Sequence, residues 1–163
     1  MDLLTRIVSK LYQLVFVLAL VTIGSSALAQ SHGKLSVKGN LLCDKKDKSV
    51  MSSVTIYRYY HQSKSVELME QQMVARNGKF KFDIEFDKDY IIDVASNTGV
   101  HKRIHMNTEV MHEYKYDNQQ FEFEIDLMDG DMNNPEEVAW IYFDPSVSDF
   151  SHTNQMPMAF EGR

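Results

Sequence analysis

The stretch R-N-G-K-F-K-F-D-I-E-F-D-K-D-Y-I-I-D-V, residues 76–94, decides the fold of this chain. Between Phe80 and Phe86 apolar side chains fill every second position, and charged side chains fill the positions between them. Because successive side chains of a strand point to opposite sides, this alternation predicts a β-strand with one buried and one solvated face. Asn77-Gly78 precedes the strand and tolerates the positive φ of a tight turn, so we expect the preceding segment to be its hairpin partner.

The first 29 residues have the pattern of a secretory signal peptide. Positive charge at Arg6 and Lys10 precedes an apolar run over residues 11–23, and Ala27-Leu28-Ala29 supplies a small-x-small cleavage site. The run is shorter than the about 20 residues of a membrane-spanning helix. We therefore expect export with cleavage and no stable membrane span afterwards, with an uncleaved N-terminal anchor as the alternative.

Length and composition favour one exported domain without covalent cross-links. After residues 1–29 we expect a sandwich domain over residues 30–145 and a partly packed C-terminal tail over 146–163. The single cysteine, Cys43, has no partner for an internal disulfide, so the core itself must supply stability. The chain carries a net charge of −6 and no cluster of Lys or Arg, which argues against nucleic acid and anionic membranes as partners.

Eight segments have the composition of β-strands. The segment 65–75 is ambiguous, since Glu, Leu, Met and Gln favour a helix, but its neighbours favour a strand. The segment 100–106 is heavily charged, so we expect it near a sheet edge. The predicted strands cover residues 34–42, 50–61, 65–75, 80–86, 90–95, 100–106, 119–128 and 138–143. Short strands joined by turn signals predict an all-β sandwich of about seven strands.

The order of these strands resembles the transthyretin-like (prealbumin-like) β-sandwich of carboxypeptidase regulatory-like domains, which are common in exported and envelope proteins of bacteria. The resemblance covers roughly residues 34–127, by alignment of the alternating strands. Its distinctive motif is a Gly-x-Phe-x-Phe strand, a Tyr-led strand, and a Gly followed by a cation: Gly78, Phe80, Phe82, Tyr90, Gly99 and Lys102. It implies a Greek-key topology and a non-catalytic accessory or binding role, with no particular substrate.

One enzyme family shares this broad fold, the transthyretin-related hydrolases that act on hydroxyisourate. Members of that family end in Tyr-Arg-Gly-Ser and carry paired histidines and an arginine in a dimer channel. This chain ends in Phe160-Glu161-Gly162-Arg163, so no catalytic residue is transferred to it. The sequence also lacks the Gly-x-Ser-x-Gly, His-Glu-x-x-His and phosphate-loop motifs, and we expect no enzymatic activity.

Four aromatic residues are candidate ligand-binding residues. Tyr57, Tyr59, Tyr60 and Trp140 would form a platform for a sugar or a peptide if their strands lie side by side. Tyrosines on the solvated side of a strand are also common in ordinary cross-strand packing, which is the alternative.

An acidic loop is the candidate ion site. Asp126, Asp129, Asp131 and Asn133 surround a glycine and offer the oxygen ligands that Ca²⁺ takes. Their spacing is not that of an EF-hand, and a solvated turn is the alternative. Apart from this calcium ion, we expect no cofactor.

Two histidines and two groups of carboxylates complete the charged features. His101 and His105 would lie about 13 Å apart on a strand, too far for one zinc ion, so we expect them exposed on an edge strand. Carboxylates at positions 83 and 85 would repel those at 122, 124 and 126 if their strands were neighbours. We therefore predict that these strands are not adjacent, or that a cation from Lys79, Lys81, Lys102 or Arg103 lies between them.

Together these features predict a non-enzymatic exported module that makes protein–protein or cell-envelope contacts. We expect it in the periplasm, on the outer-membrane surface or secreted. Its partner would be an envelope protein, contacted by strand addition at an exposed edge such as residues 100–106. A carbohydrate-binding module that recognises a glycan through the tyrosines is the first alternative, and a transthyretin-related hydrolase is the second.

Overall fold

A computed structural model of the chain describes residues 33–43, 50–75, 78–128 and 135–157. Within these ranges the chain is an all-β protein with two mixed sheets that pack as a sandwich. The predicted signal peptide, residues 1–29, lies outside the described residues. No helix in the described ranges is long and apolar enough to cross a membrane.

The described part contains nine strands rather than about seven. They are β1 (Lys34–Leu42), β2 (Met51–Tyr60), β3 (Ser65–Ala75), β4 (Lys79–Glu85), β5 (Asp89–Ser96), β6 (His101–Asn107), β7 (Gln119–Asp126), β8 (Glu136–Asp144) and β9 (Asp149–Thr153). Residues 112–114 form one turn of 3₁₀ helix. The ambiguous segment 65–75 is a strand, as predicted. Strand β9 was not predicted from the sequence; Phe150 is its one large apolar residue and is buried.

One sheet has three strands in the order β4-β1-β7, and the other has six in the order β3-β2-β5-β6-β8-β9. The β1–β7 and β6–β8 pairs are parallel, and the remaining pairs are antiparallel. The predicted hairpin at Asn77-Gly78 is wrong, because β3 pairs with β2 whereas β4 pairs with β1 in the opposite sheet. Strands β3 and β4 therefore belong to different sheets, which lets the alternating face of β4 close the core from the far side.

The core lies between the apolar faces of the two sheets. Val37 and Phe82 from the smaller sheet and Val54, Ile92 and Ile104 from the larger sheet are at most 1% exposed. Each belongs to the inward-facing half of an alternating strand, as the two-residue period requires.

The expectation that the charged segment 100–106 lies at an edge is wrong, since β6 lies between β5 and β8. Its charges are paired by neighbouring strands. Lys102 points inward, and its Nζ donates a hydrogen bond to Oε2 of Glu136. Arg103 points outward, and its Nε and Nη2 donate to the two carboxylate oxygens of Asp93 at 2.8 and 2.9 Å. A charged strand is stable inside a sheet when its neighbours supply such partners.

The predicted separation of the acidic strands is confirmed. Strand β1 lies between β4 and β7, so the carboxylates of those two strands are not adjacent. Nζ of Lys38, on β1, lies 3.3 Å from Oε1 of Glu122. A hydrogen bond from Lys81 lowers the pKa of Asp83.

Candidate functional site

The outer face of the six-stranded sheet is the side turned away from the three-stranded sheet. One row of cross-strand partners crosses it: Leu68 on β3, Tyr57 on β2, Ile91 on β5, His105 on β6 and Trp140 on β8. Because directly opposed residues of paired strands point to the same side, these five side chains share one face. The row therefore aligns two of the predicted aromatic residues, although their strands are far apart in sequence.

A β-bulge at Val138 shapes this face. The pairing of β6 with β8 joins Arg103 to Glu137 and Ile104 to Ala139, so Val138 is skipped between them. In a regular strand, residues 137 and 140 would point to opposite faces. The extra residue reverses the alternation, so that both Glu137 and Trp140 lie on the outer face.

Residues from five segments enclose a groove on this face, which we call the outer-face groove. Its volume is about 450 Å³, and its lining consists of Tyr59, His61, Asp89, Tyr90, Ile91, Arg103, His105, Glu137, Trp140 and Met156. Two of the predicted binding residues, Tyr59 and Trp140, therefore line the same concave site. Tyr57 pairs with Ile91 beside it.

Tyr60 does not join the groove. It lies next to Tyr59 on β2, and its hydroxyl donates a hydrogen bond to Oε2 of Glu67. That hydrogen bond raises the pKa of Tyr60. The guanidinium of Arg58 lies 5.4 Å from the centroid of the Tyr60 ring. Strand alternation thus separates Tyr60 from the other three aromatic residues.

One wall of the groove combines the stacked rings of His105 and Trp140 with the ion pair between Arg103 and Asp93. The rings of His105 and Trp140 stack with 5.8 Å between centroids and 10° between planes. Nε2 of His105 lies 3.2 Å from Oε1 of Glu137. The two hydrogen bonds to Asp93 raise the pKa of Arg103, so its guanidinium is held as a paired cation.

The opposite wall holds a second histidine against a carboxylate. The ring of His61 packs edge-on to Tyr59, with 4.7 Å between centroids. Its Nε2 lies 2.9 Å from Oδ2 of Asp89 but outside hydrogen-bond geometry. Within the part of the chain that the structure describes, both ring nitrogens are shielded and lack a hydrogen-bond partner. Oδ1 of Asp89 accepts a hydrogen bond from Nδ2 of Asn107 at 2.8 Å.

The expectation of exposed edge-strand histidines is wrong, because His101 and His105 lie on an interior strand and are partly buried. Nε2 of His101 lies 3.7 Å from Oδ2 of Asp93. The positions of His105, Arg103 and Glu137 in the groove were not predicted from the sequence. Alternation within H-K-R-I-H places positions 101, 103 and 105 on one face, which was the available signal.

Of the four residues predicted to bind calcium, only Asp126 lies in the described ranges. Asp126 is exposed at the end of β7, where its Oδ1 accepts a hydrogen bond from the backbone N–H of Met128 at 2.8 Å. Asp129, Asp131 and Asn133 lie outside the described residues. Across the ranges that are described, no group of three His, Cys, Asp or Glu side chains could hold a metal ion. The calcium site in the loop stays a prediction.

The free edge of β3 is a second candidate surface. Val66, Leu68, Met69 and Met73 are 52, 60, 49 and 65% exposed. Strand β3 pairs with β2 through a register shift that leaves Met69 as a bulge. This bulge interrupts the two-residue alternation of the strand. Outward-facing residues are even-numbered before it and odd-numbered after it, as the pairing of 66, 68, 71 and 73 shows.

The groove gathers two histidines and an arginine, but no serine among the described residues lines it. The guanidinium of Arg103 is already used by Asp93. This arrangement differs from the converging His, Arg and Ser that a transthyretin-related hydrolase would require. Neither a scan against known protein families nor a search of curated proteins found a match to this chain.

Proposed function

We propose that this chain is an exported, non-enzymatic β-sandwich of the transthyretin-like kind that makes protein–protein or cell-envelope contacts. The observation that carries the proposal is the free edge of β3, residues 65–75, with its exposed apolar side chains. The pattern of residues 1–29 supports export to the periplasm, the outer-membrane surface or the medium. The Gly78-x-Phe80-x-Phe82 strand and the two-sheet architecture support the fold family.

An exposed strand edge is a ready acceptor for another strand. Its unpaired N–H and C=O groups bind an extended peptide through main-chain hydrogen bonds, and its side chains select the sequence. Soluble proteins usually guard such edges with Lys, Pro or inward-pointing charges. Strand β3 contains no Lys, Arg or Pro, and four of its five large apolar side chains are about half exposed or more. Glu67 and Glu70, which lie on the same side as Ile56, and the bulge at Met69 interrupt its apolar character.

The other described edges are less suited to a partner. The edge strand β7 carries exposed Glu122, Glu124 and Asp126. Nε2 of Gln72 donates to the backbone oxygen of Lys81, and the N–H of Lys81 donates to Oε1 of Gln72, which covers the edge of β4. Strand β9 has only five residues. The edge of β3 is therefore the best acceptor in the described sheets.

Site-specific photocrosslinking in the cells that make the protein tests this proposal. A benzophenone amino acid replaces Leu68 in one variant and Val147 in the other. These residues match in exposure, at 60 and 61%, but Val147 lies in the turn between β8 and β9. We expect a discrete crosslinked protein, identified by mass spectrometry, from position 68 and none from position 147.

Two outcomes would overturn the proposal. Position 68 could give no crosslinked protein, or both positions could give the same mixture at the same yield. A crosslink between two copies would identify the partner as this chain itself. The variants Leu68→Lys and Val147→Lys supply the matched loss-of-contact pair, because only the first places a charge on the strand edge.

A further inference from the structure

We infer that the outer-face groove is a binding site for a neutral carbohydrate. This site differs from the β3 edge and does not depend on the function proposed for it. Two of the four aromatic residues that the sequence singles out, Tyr59 and Trp140, lie in this groove, together with several polar residues. The inference rests on the shape, the chemistry and the charge of the groove.

The shape of the groove suits a small ring-shaped ligand. Its volume of about 450 Å³ falls in the range of roughly 300–1,000 Å³ that is usual for ligand sites. Tyr59 on β2 and Trp140 on β8 lie on the two outermost strands of the groove, and Ile91 lies on β5, one of the two strands between them. Trp140 is 8% exposed and stacked on His105, so the half-buried ring of Tyr59 is the main aromatic surface. An aromatic ring of this kind packs against the C–H faces of a pyranose ring, which are its apolar surfaces.

The polar groups of the groove can form hydrogen bonds with the hydroxyl groups of a sugar. The carboxylates of Asp89 and Glu137 accept hydrogen bonds, and an imidazole nitrogen of His105 donates or accepts according to its tautomer. Both nitrogens of His61 are shielded, and Nε2 lies 2.9 Å from Oδ2 of Asp89, so this ring stays in place as part of the wall. A few polar groups that converge between apolar walls provide the usual specificity of a small-molecule site.

The charges of the groove favour a neutral ligand. Asp89 and Glu137 line the groove, and the one guanidinium in it, that of Arg103, is paired with Asp93 behind the lining. The site is therefore negative when its histidines are neutral. This field opposes an anionic ligand such as a uronate. A cationic ligand would compete with Arg103, Asn107 and the histidines for carboxylates that are already in contact with them. A polyhydroxyl ligand displaces none of these contacts.

The tryptophan of the groove provides the assay, because Trp140 is the only tryptophan in the chain. Its emission is measured while the protein is titrated with the neutral hexasaccharides of cellulose, xylan, mannan and chitin. Trigalacturonate and tetralysine are the anionic and cationic controls. We expect a saturable change with at least one neutral oligosaccharide below about 20 mM, which covers weak affinities. We expect no saturable change with either charged control.

Matched variants locate the binding. Tyr59→Ala removes an aromatic wall, whereas Tyr60→Ala removes the same residue type from the neighbouring position on the other face of β2. We expect the first to weaken binding by at least tenfold and the second by less than about twofold. Glu137→Gln, which keeps the shape of the side chain, should also weaken binding. Far-ultraviolet circular dichroism checks that each variant is folded.

Three outcomes would overturn the inference. The emission of the unmodified protein could remain constant with all four neutral oligosaccharides. A charged control could bind as tightly as the best neutral sugar, which would reassign the site to an anion or to a basic peptide. Tyr60→Ala could weaken binding as much as Tyr59→Ala, which would place the sugar elsewhere.

Discussion

Replacement of Gly39 by alanine tests how the three-stranded sheet is packed. Gly39 lies in β1, opposite Phe80 of β4 on one side and Phe123 of β7 on the other. The rings of Phe80 and Phe123 meet in a T-shaped contact with 5.9 Å between centroids, since no side chain of β1 separates them. A Cβ atom at position 39 would lie 2.0 Å from Cζ and 2.2 Å from Cε1 of Phe80.

The cost of this substitution follows from those distances. They fall short of an ordinary carbon–carbon contact of about 3.5 Å by more than about 1 Å, so the Phe80 ring must move. That ring is 3% exposed and packs against Phe82 with 5.6 Å between centroids. Overpacking of a core costs about 1–3 kcal/mol, and the better strand propensity of alanine returns at most about 1 kcal/mol. We expect Gly39→Ala to lower the free energy of unfolding by about 2 kcal/mol.

Urea unfolding, followed by the emission of Trp140, measures this change. Phe80→Leu shortens the side chain that meets the new Cβ, so Gly39→Ala should cost less than half as much in that background. The double-mutant cycle therefore gives a coupling energy of about 1 kcal/mol. Unchanged stability of Gly39→Ala, or a coupling energy below about 0.5 kcal/mol, would refute the packing argument.

Two further predictions concern ionisable groups. Burial raises the pKa of Tyr90 above its ordinary 10.0, so the neutral phenol stabilises the fold below that pH and this contribution is lost as pH rises through the folded pKa. Between about pH 8 and about pH 11, the free energy of unfolding of Tyr90→Phe should therefore fall by less than that of the unmodified protein. Urea titrations at the two pH values measure it, and equal losses would contradict the prediction. Arg103→Lys replaces the two-pronged contact with Asp93 by a single charge, and we expect a loss of about 1 kcal/mol. An unchanged melting temperature in a thermal scan would contradict it.

The sequence predicted the strands well because their signal is local. Strands β1 and β3 begin and end at the predicted residues, and the alternation in β4 marks its buried face correctly. Alternation shows that one face of a strand is buried but not which sheet contains the strand. The Asn77-Gly78 signal therefore predicted a hairpin, whereas β3 and β4 belong to different sheets.

The interior position of β6 could not be predicted from its own residues. Its Lys102 and Arg103 are the kind of side chains that guard an edge. Their partners, Glu136 and Asp93, lie 34 and 10 residues away in the sequence. A charged residue in a strand is predicted to be exposed unless the neighbouring strand that neutralises its charge is known.

The outer-face groove could not be predicted from the sequence for a related reason. Its lining comes from positions 59 to 156, and it exists only when β2, β5, β6 and β8 lie side by side. The bulge at Val138 then decides that Trp140 joins Glu137 on this face. A bulge adds one residue without any change in composition, so a period of two cannot detect it. Two of the four aromatic residues in the prediction, Tyr59 and Trp140, line the groove, but Tyr60 could not be separated from Tyr59 without the pairing.

The two proposed surfaces share the outer face, and their separation gives a last prediction. Leu68 on β3 and Trp140 on β8 stand in one row, with β2, β5 and β6 between them. Four strand spacings of about 4.8 Å separate them by roughly 19 Å, but the Tyr59 end of the groove lies on β2, one spacing from β3. Met73 pairs with Ser53, which lies six residues from Tyr59 and so roughly 20 Å from it along β2. Met73→Lys should therefore weaken the contact at the edge and leave the saccharide titration of Trp140 unchanged. A loss of both after this one substitution would mean that a single ligand covers both sites, and the face would then be one continuous binding surface.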